Sequence, residues 1–282
     1  MPAFSLILAT VGRTQELNRL FDSLAAQTYS DFEIVIVDQN TDDRLLPHIA
    51  YAGKAGLSVR HLKHHPPNLA AARNAGIAAA QGEWIAFPDD DCWYDPALLQ
   101  RVAARFSIRP APEGVTVSWA EQGEPPFTAP VLSWKRSAAF RDVPVASITI
   151  FLQRRLLDEI GGFDARFGVG QWFGAAEEHD LMLRALRHGA VIAYEPMAQV
   201  HHAVTPVQAP TPEACTAARC RARGTGALYA KHRLPPWVIL RGLIAPVLRP
   251  LMKGQLGSEL SHGMAIVRGR LDGFFGWNRL QH

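Results

Sequence analysis

The 282-residue chain reads as an α/β protein, a mostly parallel sheet flanked by helices and followed by a helical C-terminal extension. Three observations predict it. Apolar runs alternate with helical patterns between residues 4 and 87, carboxylates stand just past the ends of those runs, and the chain from residue 211 is basic and helix-like. An apolar content of 48% with 20% charged residues supplies a core, which excludes a disordered chain. No repeat of the solenoid kind is visible.

Taken in order, FSLILA (4–9) is a short continuous apolar run, as a strand buried on both faces requires. Thr14 is placed to cap a helix that carries Leu17, Leu20, Phe21 and Leu24 on one side and ends near Gln27. FEIVIVD (32–38) is the next buried strand. A helix near 44–53, a strand near 57–62, a helix near 69–80 and a strand at 83–87 continue the rhythm, which specifies parallel strands joined by right-handed crossovers. Residues 108–145 are rich in Pro and Gly, with a strand expected near 115–120 and an exposed loop after it. ASITIFL (146–152) reads as a strand, RRLLDEI (154–160) as a helix and GGFDARFGVGQWFG as a glycine-rich loop. A helix from Glu177 closes at Gly189, and VIAYE and QVHHAV are short extended pieces. This divides the chain into a domain at 1–210 and an extension at 211–282.

In a parallel α/β sheet, ligands gather outside the carboxyl ends of the strands. Thr10, Asp38 and the run Asp89-Asp90-Asp91 are therefore expected along one edge. Three adjacent carboxylates repel one another, and a divalent cation such as Mg²⁺ or Mn²⁺ relieves that cost. Extended backbone would turn Asp89 and Asp91 one way and Asp90 the other. The bland alternative is a solvated acidic turn with Asp95 capping the next helix. Asp38 is suited to accept hydrogen bonds from a nucleobase or ribose, or merely to bond its own turn. Arg73 is the long cation of an alanine-rich helix, suited to a diphosphate or to the aspartates.

At about 100° per residue, Glu177, Asp180, Arg184, Arg187 and His188 share a polar side, with Asp180 and Arg184 spaced as an ion pair. Glu178 falls opposite, with Leu181, Met182 and Ala185. Burial there would raise its pKa and suit a general base. The helix dipole accounts for Glu177. Of His201 and His202, the second is the better metal-ligand candidate, the alternative being an ordinary hydrogen-bonded histidine.

From residue 213 the acids are Glu213, Glu259 and Asp272, against eleven lysines and arginines. Such a tail calls for an anionic partner. Its most apolar stretch, PPWVILRGLIAPVLRPLM, is interrupted by Arg241, Pro246 and Arg249 and is a poor spanning helix. It fits a helix lying on a membrane surface, or one packed on the main domain. Three cysteines (Cys92, Cys215, Cys220) form no disulfide framework, and the N-terminus lacks the basic start of a signal peptide. The expected location is cytoplasmic, peripheral on the inner face of the plasma membrane.

Three segments, SLILATVGRTQELNRLFDSLAAQTYSDFEIVIVDQN, NLAAARNAGIAAAQGEWIAFPDDD and GGFDARF…GAAEEHDLMLRALRHGAVIAYEP, together resemble family-2 glycosyltransferases of the GT-A fold. They span roughly residues 3–203 in the right order. The resemblance implies a Rossmann-like nucleotide-binding sheet and transfer of a sugar, with inversion, from a nucleotide-sugar donor, UDP-linked by preference. It places Thr10 and Arg13 in the loop around the nucleotide and Asp38 at the base. Asp89 and Asp91 take the outer positions of the DxD motif, the first near the ribose and the second on a Mn²⁺ or Mg²⁺ ion. Asp90 and Arg73 complete the donor-binding set. Glu178 matches the second acid of the Glu-Asp pair, the base for the acceptor hydroxyl, and His202 a histidine that helps hold the metal, with Asp89 a further candidate ligand. Two departures stand out: Glu178 is Glu where Asp is more usual, and Ala175 and Ala176 replace glycines or a serine. The expected acceptor is a glycan or, from the amphipathic tail, a lipid-linked glycan in polysaccharide synthesis.

Rival classes fit less well. A nucleotidyltransferase needs a glycine-rich basic loop after the first strand, and ATVGRT is too short for one. A silent scaffold of the same fold would have no use for acids at 38, 89, 91 and 178. A nucleic-acid binder would interleave exposed aromatics with the basic tail, so no nucleic-acid partner is expected.

Overall fold

The computed structural model describes residues 1–122, 131–141, 145–203 and 210–280. The loop expected after residue 120 lies largely outside the described residues. Two compact units are distinguished, one of residues 1–163 with 181–204 and one of residues 164–180 with 205–282.

The first unit is built on strands β1 (Phe4–Thr10), β2 (Phe32–Asp38), β3 (Val59–Lys63), β4 (Trp84–Ala86), β5 (Cys92–Tyr94), β6 (Gly114–Trp119), β7 (Ile150–Gln153) and β8 (Ile192–His202). They form one sheet in the order β3-β2-β1-β4-β7-β6-β8-β5. Four of the seven pairings are parallel, β1 with β2 and β4, β2 with β3, and β6 with β8. The other three are antiparallel. Helices α1 (Leu17–Ala25), α2 (Leu46–Lys54), α3 (Leu69–Ala79), α4 (Leu98–Phe106), α5 (Trp134–Ala138) and α6 (Arg154–Ile160) belong to the same unit, and α7 (Glu177–His188) begins in the second unit and continues into the first.

Strand alternation explains the continuous apolar runs. Phe4, Leu6 and Leu8 of β1 share one cluster with Leu20, Phe21 and Leu24 of α1 and Leu98, Leu99 and Val102 of α4. Ile7 faces the other way, with Ala70 and Ala72 of α3, Leu156 of α6 and Met182 of α7. Both faces are therefore covered. The alanine-rich α3 lies close on the sheet because it is small: a Cβ at Gly76 would overlap the Ile7 side chain.

Several local expectations are corrected. Thr14 does not cap α1; its carbonyl accepts from Leu17 N (3.3 Å), and the N-cap is Glu16 with no side-chain bond. Asp95 does not cap α4 through its side chain, which meets His201 Nε2 at 2.9 Å. The strand read at 146–152 begins with a 3₁₀ turn at Ser147–Thr149. VIAYE and QVHHAV are one strand, whose pairing with β6 slips between Val117 and Ser118.

In the second unit, α8 (Pro212–Lys231), α9 (Pro236–Met252) and α10 (Ser258–Arg279) realise the helical tail, with Pro246 and Pro250 accommodated inside α9. Phe167 and Phe173 from the glycine-rich loop pack with Ala227, Leu228 and Trp277. Asp164 bonds Arg166 (2.6 Å) and Lys231 (2.7 Å), and buried Asp180 takes Lys231 (2.6 Å) and His232 (2.8 Å).

Candidate active site

Parallel register sets Thr10 beside Asp38 at the carboxyl ends of β1 and β2. The chain leaving β4 brings the three aspartates to the same edge. Thr10 Oγ1 donates to Asp90 Oδ2 (2.6 Å), and Arg13 Nη1 donates to Asp90 Oδ1 (2.8 Å) and to Asp91. The aspartates do not alternate, because Asp90 and Asp91 occupy a turn closed by Cys92 N donating to the Asp89 carbonyl (3.3 Å). One guanidinium thus spans two neighbouring carboxylates. Burial opposes the charge on Arg13, but the two aspartates outweigh it and raise its pKa.

Asp89 turns elsewhere. Arg73, only 2% exposed, donates to it through Nη2 (3.1 Å), and Ser147 Oγ lies 3.2 Å from its other oxygen. The Arg73 guanidinium also lies over the Phe163 ring, 5.3 Å from its centroid. A plain surface arginine is excluded by that burial. Asp89 has the most exposed side chain of the three aspartates, at 36% against 10% and 15% for Asp90 and Asp91.

His202 reaches the acids through β-pairing. Antiparallel register sets it opposite Cys92, the residue after Asp91, and its Nε2 stands 3.0 Å from Asp91 Oδ1. Its Nδ1 lies 2.9 Å from the Ala203 carbonyl, so Nδ1 carries the proton. Nε2 is then the ring nitrogen that faces the Asp91 carboxylate and could ligate a metal ion. Among the described residues no group of three or more His, Cys, Asp or Glu could form a metal cage. A carboxylate and an imidazole, completed by substrate phosphate oxygens and water, still fit Mg²⁺ or Mn²⁺.

Asp38 is fully buried and fully engaged. Its Oδ1 accepts from Asn40 N and Nδ2 (2.8 Å each), and its Oδ2 meets His61 Nε2 and Lys63 Nζ (3.0 Å each). Burial alone would raise its pKa, but those bonds prevail and hold it below the ordinary value. Asn40 passes the order on, its Oδ1 accepting from Gly12 N (2.7 Å) at a residue of φ +80°. Sequence reasoning missed Asn40, His61, Lys63 and Ser147. The period-two spacing of His61 and Lys63 on a strand paired with β2 was a usable signal; Ser147 offered none.

The polar side read on α7 is also corrected. Glu177 and Asp180 are buried, at 3% and 0%, while Glu178 is half-buried. Gly168, whose φ of +109° favours glycine, passes close to the Glu177 carboxylate. Arg184 donates to the Ile160 and Gly162 carbonyls.

The sequence profile described as "Glycosyl transferase family 2" matches residues 5–148, half of the chain. The chain belongs to that family. The matched region holds Thr10, Arg13, Asp38, Arg73 and the three aspartates; Glu178 and His202 lie beyond it. The chain is 28% identical over 167 residues to the "Uncharacterized glycosyltransferase YwdF" of Bacillus subtilis, covering 57% of the chain and 62% of YwdF. The chain thus spans less than two thirds of that relative. The mannosyltransferase PcManGT from Pyrobaculum calidifontis, solved with GDP-Man and Mn²⁺, superposes with a TM-score of 0.69 at 14% identity, covering 98% of this chain and 88% of PcManGT. S. aureus TarS 1–349 in complex with UDP-GlcNAc gives 0.60 at 15%, covering 94% and 90%. At these identities the likeness is one of fold, that of the GT-A glycosyltransferases.

Proposed function

We propose that this glycosyltransferase transfers a hexose, with inversion and with the help of a divalent cation, from a UDP-sugar to the hydroxyl of a cell-surface or lipid-linked glycan. The observation that carries the donor site is the convergence of Thr10, Arg13, Arg73, the three aspartates and His202 at the carboxyl edge of the sheet. PcManGT with GDP-Man and Mn²⁺, and TarS with UDP-GlcNAc, support a nucleotide-sugar donor and a metal.

In this reading Asp91 and His202 would hold the ion, and Asp89, on the Arg73 side, would meet the ribose. A bound Mn²⁺ or Mg²⁺ supplies positive charge against the departing diphosphate. Arg13, half of whose side chain is exposed, is available to the phosphates once donor competes for it. Arg73 fixes the Asp89 carboxylate. Asp38 and Asp90 act from behind, holding Asn40, Gly12, Thr10 and Arg13 in the shape that receives the nucleotide.

Glu178 is assigned to the acceptor by its place as second acid of the pair, and its partial exposure leaves it reachable. Its carboxylate takes the proton of the acceptor hydroxyl as that oxygen bonds the anomeric carbon. The bond from that carbon to the diphosphate breaks on the opposite face, and the configuration inverts. Residues 1–210 serve as the transferase domain, and the basic extension at 211–282 attaches it peripherally to the inner membrane face.

Glu178→Gln is expected to keep donor affinity and to lose transfer by roughly 10²–10⁴-fold. Calorimetry for the donor and NMR of the product anomeric proton check both parts. Loss of donor binding would make Glu178 structural, and a product retaining the donor configuration would contradict the single displacement.

A further inference from the structure

Helix α9 turns an apolar stripe outward. Its inward side is marked by Val238, 1% exposed, by Gly242 against Tyr229, and by Pro246 against Gly263. Its outward side carries Trp237, Leu240, Ile244, Leu248 and Leu251, each 46–58% exposed. Their spacing of three, four, four and three residues keeps them in one stripe at about 100° per residue. A surface helix ordinarily turns polar residues to water there, and a contiguous exposed apolar face marks an interaction site.

Charge selects the occupant. Between Arg233 and Lys253 the chain carries Arg233, Arg241, Arg249 and Lys253 and no Asp or Glu. A symmetric dimer through this face would set the arginines of one copy among those of the other, with no acid on either α9 to meet them. An anionic bilayer meets both demands. The acyl boundary would take the leucines and isoleucine and Trp237 the headgroup level, where Arg241, 5.6 Å from the Trp237 ring centroid, flanks the stripe within reach of lipid phosphates. No helix among the described residues is long and apolar enough to cross a membrane.

We propose that the Trp237–Leu251 face of α9 is the surface by which the chain docks on anionic lipid. This deepens the peripheral attachment proposed above and rests on it. The test is co-sedimentation of the full chain with vesicles of phosphatidylcholine alone and of phosphatidylcholine mixed with phosphatidylglycerol. Wild type is expected to bind the mixed vesicles and to be released by salt. Leu240→Glu/Ile244→Glu is expected to lose about tenfold or more in partitioning. Arg241→Gln/Arg249→Gln/Lys253→Gln is expected to lose the preference for the anionic lipid. Circular dichroism and nucleotide affinity verify that the variants remain folded, and Leu240→Gln/Ile244→Gln replaces the glutamates if they do not.

Wild type that binds neither vesicle overturns the attachment itself. Binding that survives in the Leu240/Ile244 variants leaves attachment standing and overturns this face. Equal binding to both lipids removes the anionic requirement. A concentration-dependent dimer in size exclusion, abolished by the same variants, would make the face a self-interface instead.

Discussion

Asp38 sits fully buried with hydrogen-bond partners on both oxygens, and its effect travels through Asn40 to the backbone of Gly12. Asp38→Asn keeps the shape but withdraws the charge that His61 and Lys63 meet. We expect it to cost about 2 kcal/mol in chemical denaturation and to weaken donor binding by loosening the Gly12–Arg13 loop. Because the folded pKa of Asp38 lies below its ordinary 3.8, the stability it contributes is complete above that value and is lost as pH falls through the folded pKa. Asp164 behaves alike, held well below the carboxylate range because Arg166 and Lys231 outweigh its burial. The melting-temperature gap between wild type and Asp38→Asn should therefore be constant above about pH 5 and shrink as the solution is acidified below pH 4. A gap independent of pH would mean that the charge contributes nothing. At this scale the edge residues were legible because apolar strands end in them. Glu177 and Asp180 were not, since a helical wheel assumes polar residues face water. Lys231 and His232, fifty-odd residues further along, make burial of Asp180 tolerable.

Among the elements, the C-terminal helices approach through glycines. A Cβ at Gly226 would land on the Arg270 carbonyl, and one at Gly273 on the Arg223 carbonyl, so α8 and α10 meet backbone to backbone. Neither clash can be relieved by rotating a side chain. Gly273→Val is expected to destabilise the second unit by about 1–3 kcal/mol or more, measured by hydrogen exchange of α8 and α10 amides. Unchanged protection would show that the helices have slack. The strand and helix rhythm of the first hundred residues was readable because buried parallel strands are uninterrupted apolar runs. β5 was not, being three residues long, and β8 was split at Pro196, where its pairing with β6 slips from Glu195 to Gln199. That register decides the site, because it carries His202 to Asp91.

For the whole molecule, family and fold follow from the profile match and the superpositions, and the chemistry is proposed on a donor edge whose residues come from four separate segments of the chain. These segments were recognisable in the sequence by their order, while the contacts among them depend on long-range pairing that no local pattern encodes. The proposed chemistry turns on metal-assisted binding of a nucleotide at that edge. Calorimetric titration with UDP, GDP, CDP and ADP, with and without Mn²⁺, on wild type and Asp91→Ala tests it most directly. The expected result is tight binding of one nucleotide, UDP, that requires Mn²⁺ and weakens by tenfold or more, about 1.4 kcal/mol, in Asp91→Ala. Binding of equal strength without the ion and in the variant, or no binding of any nucleotide, would contradict the account.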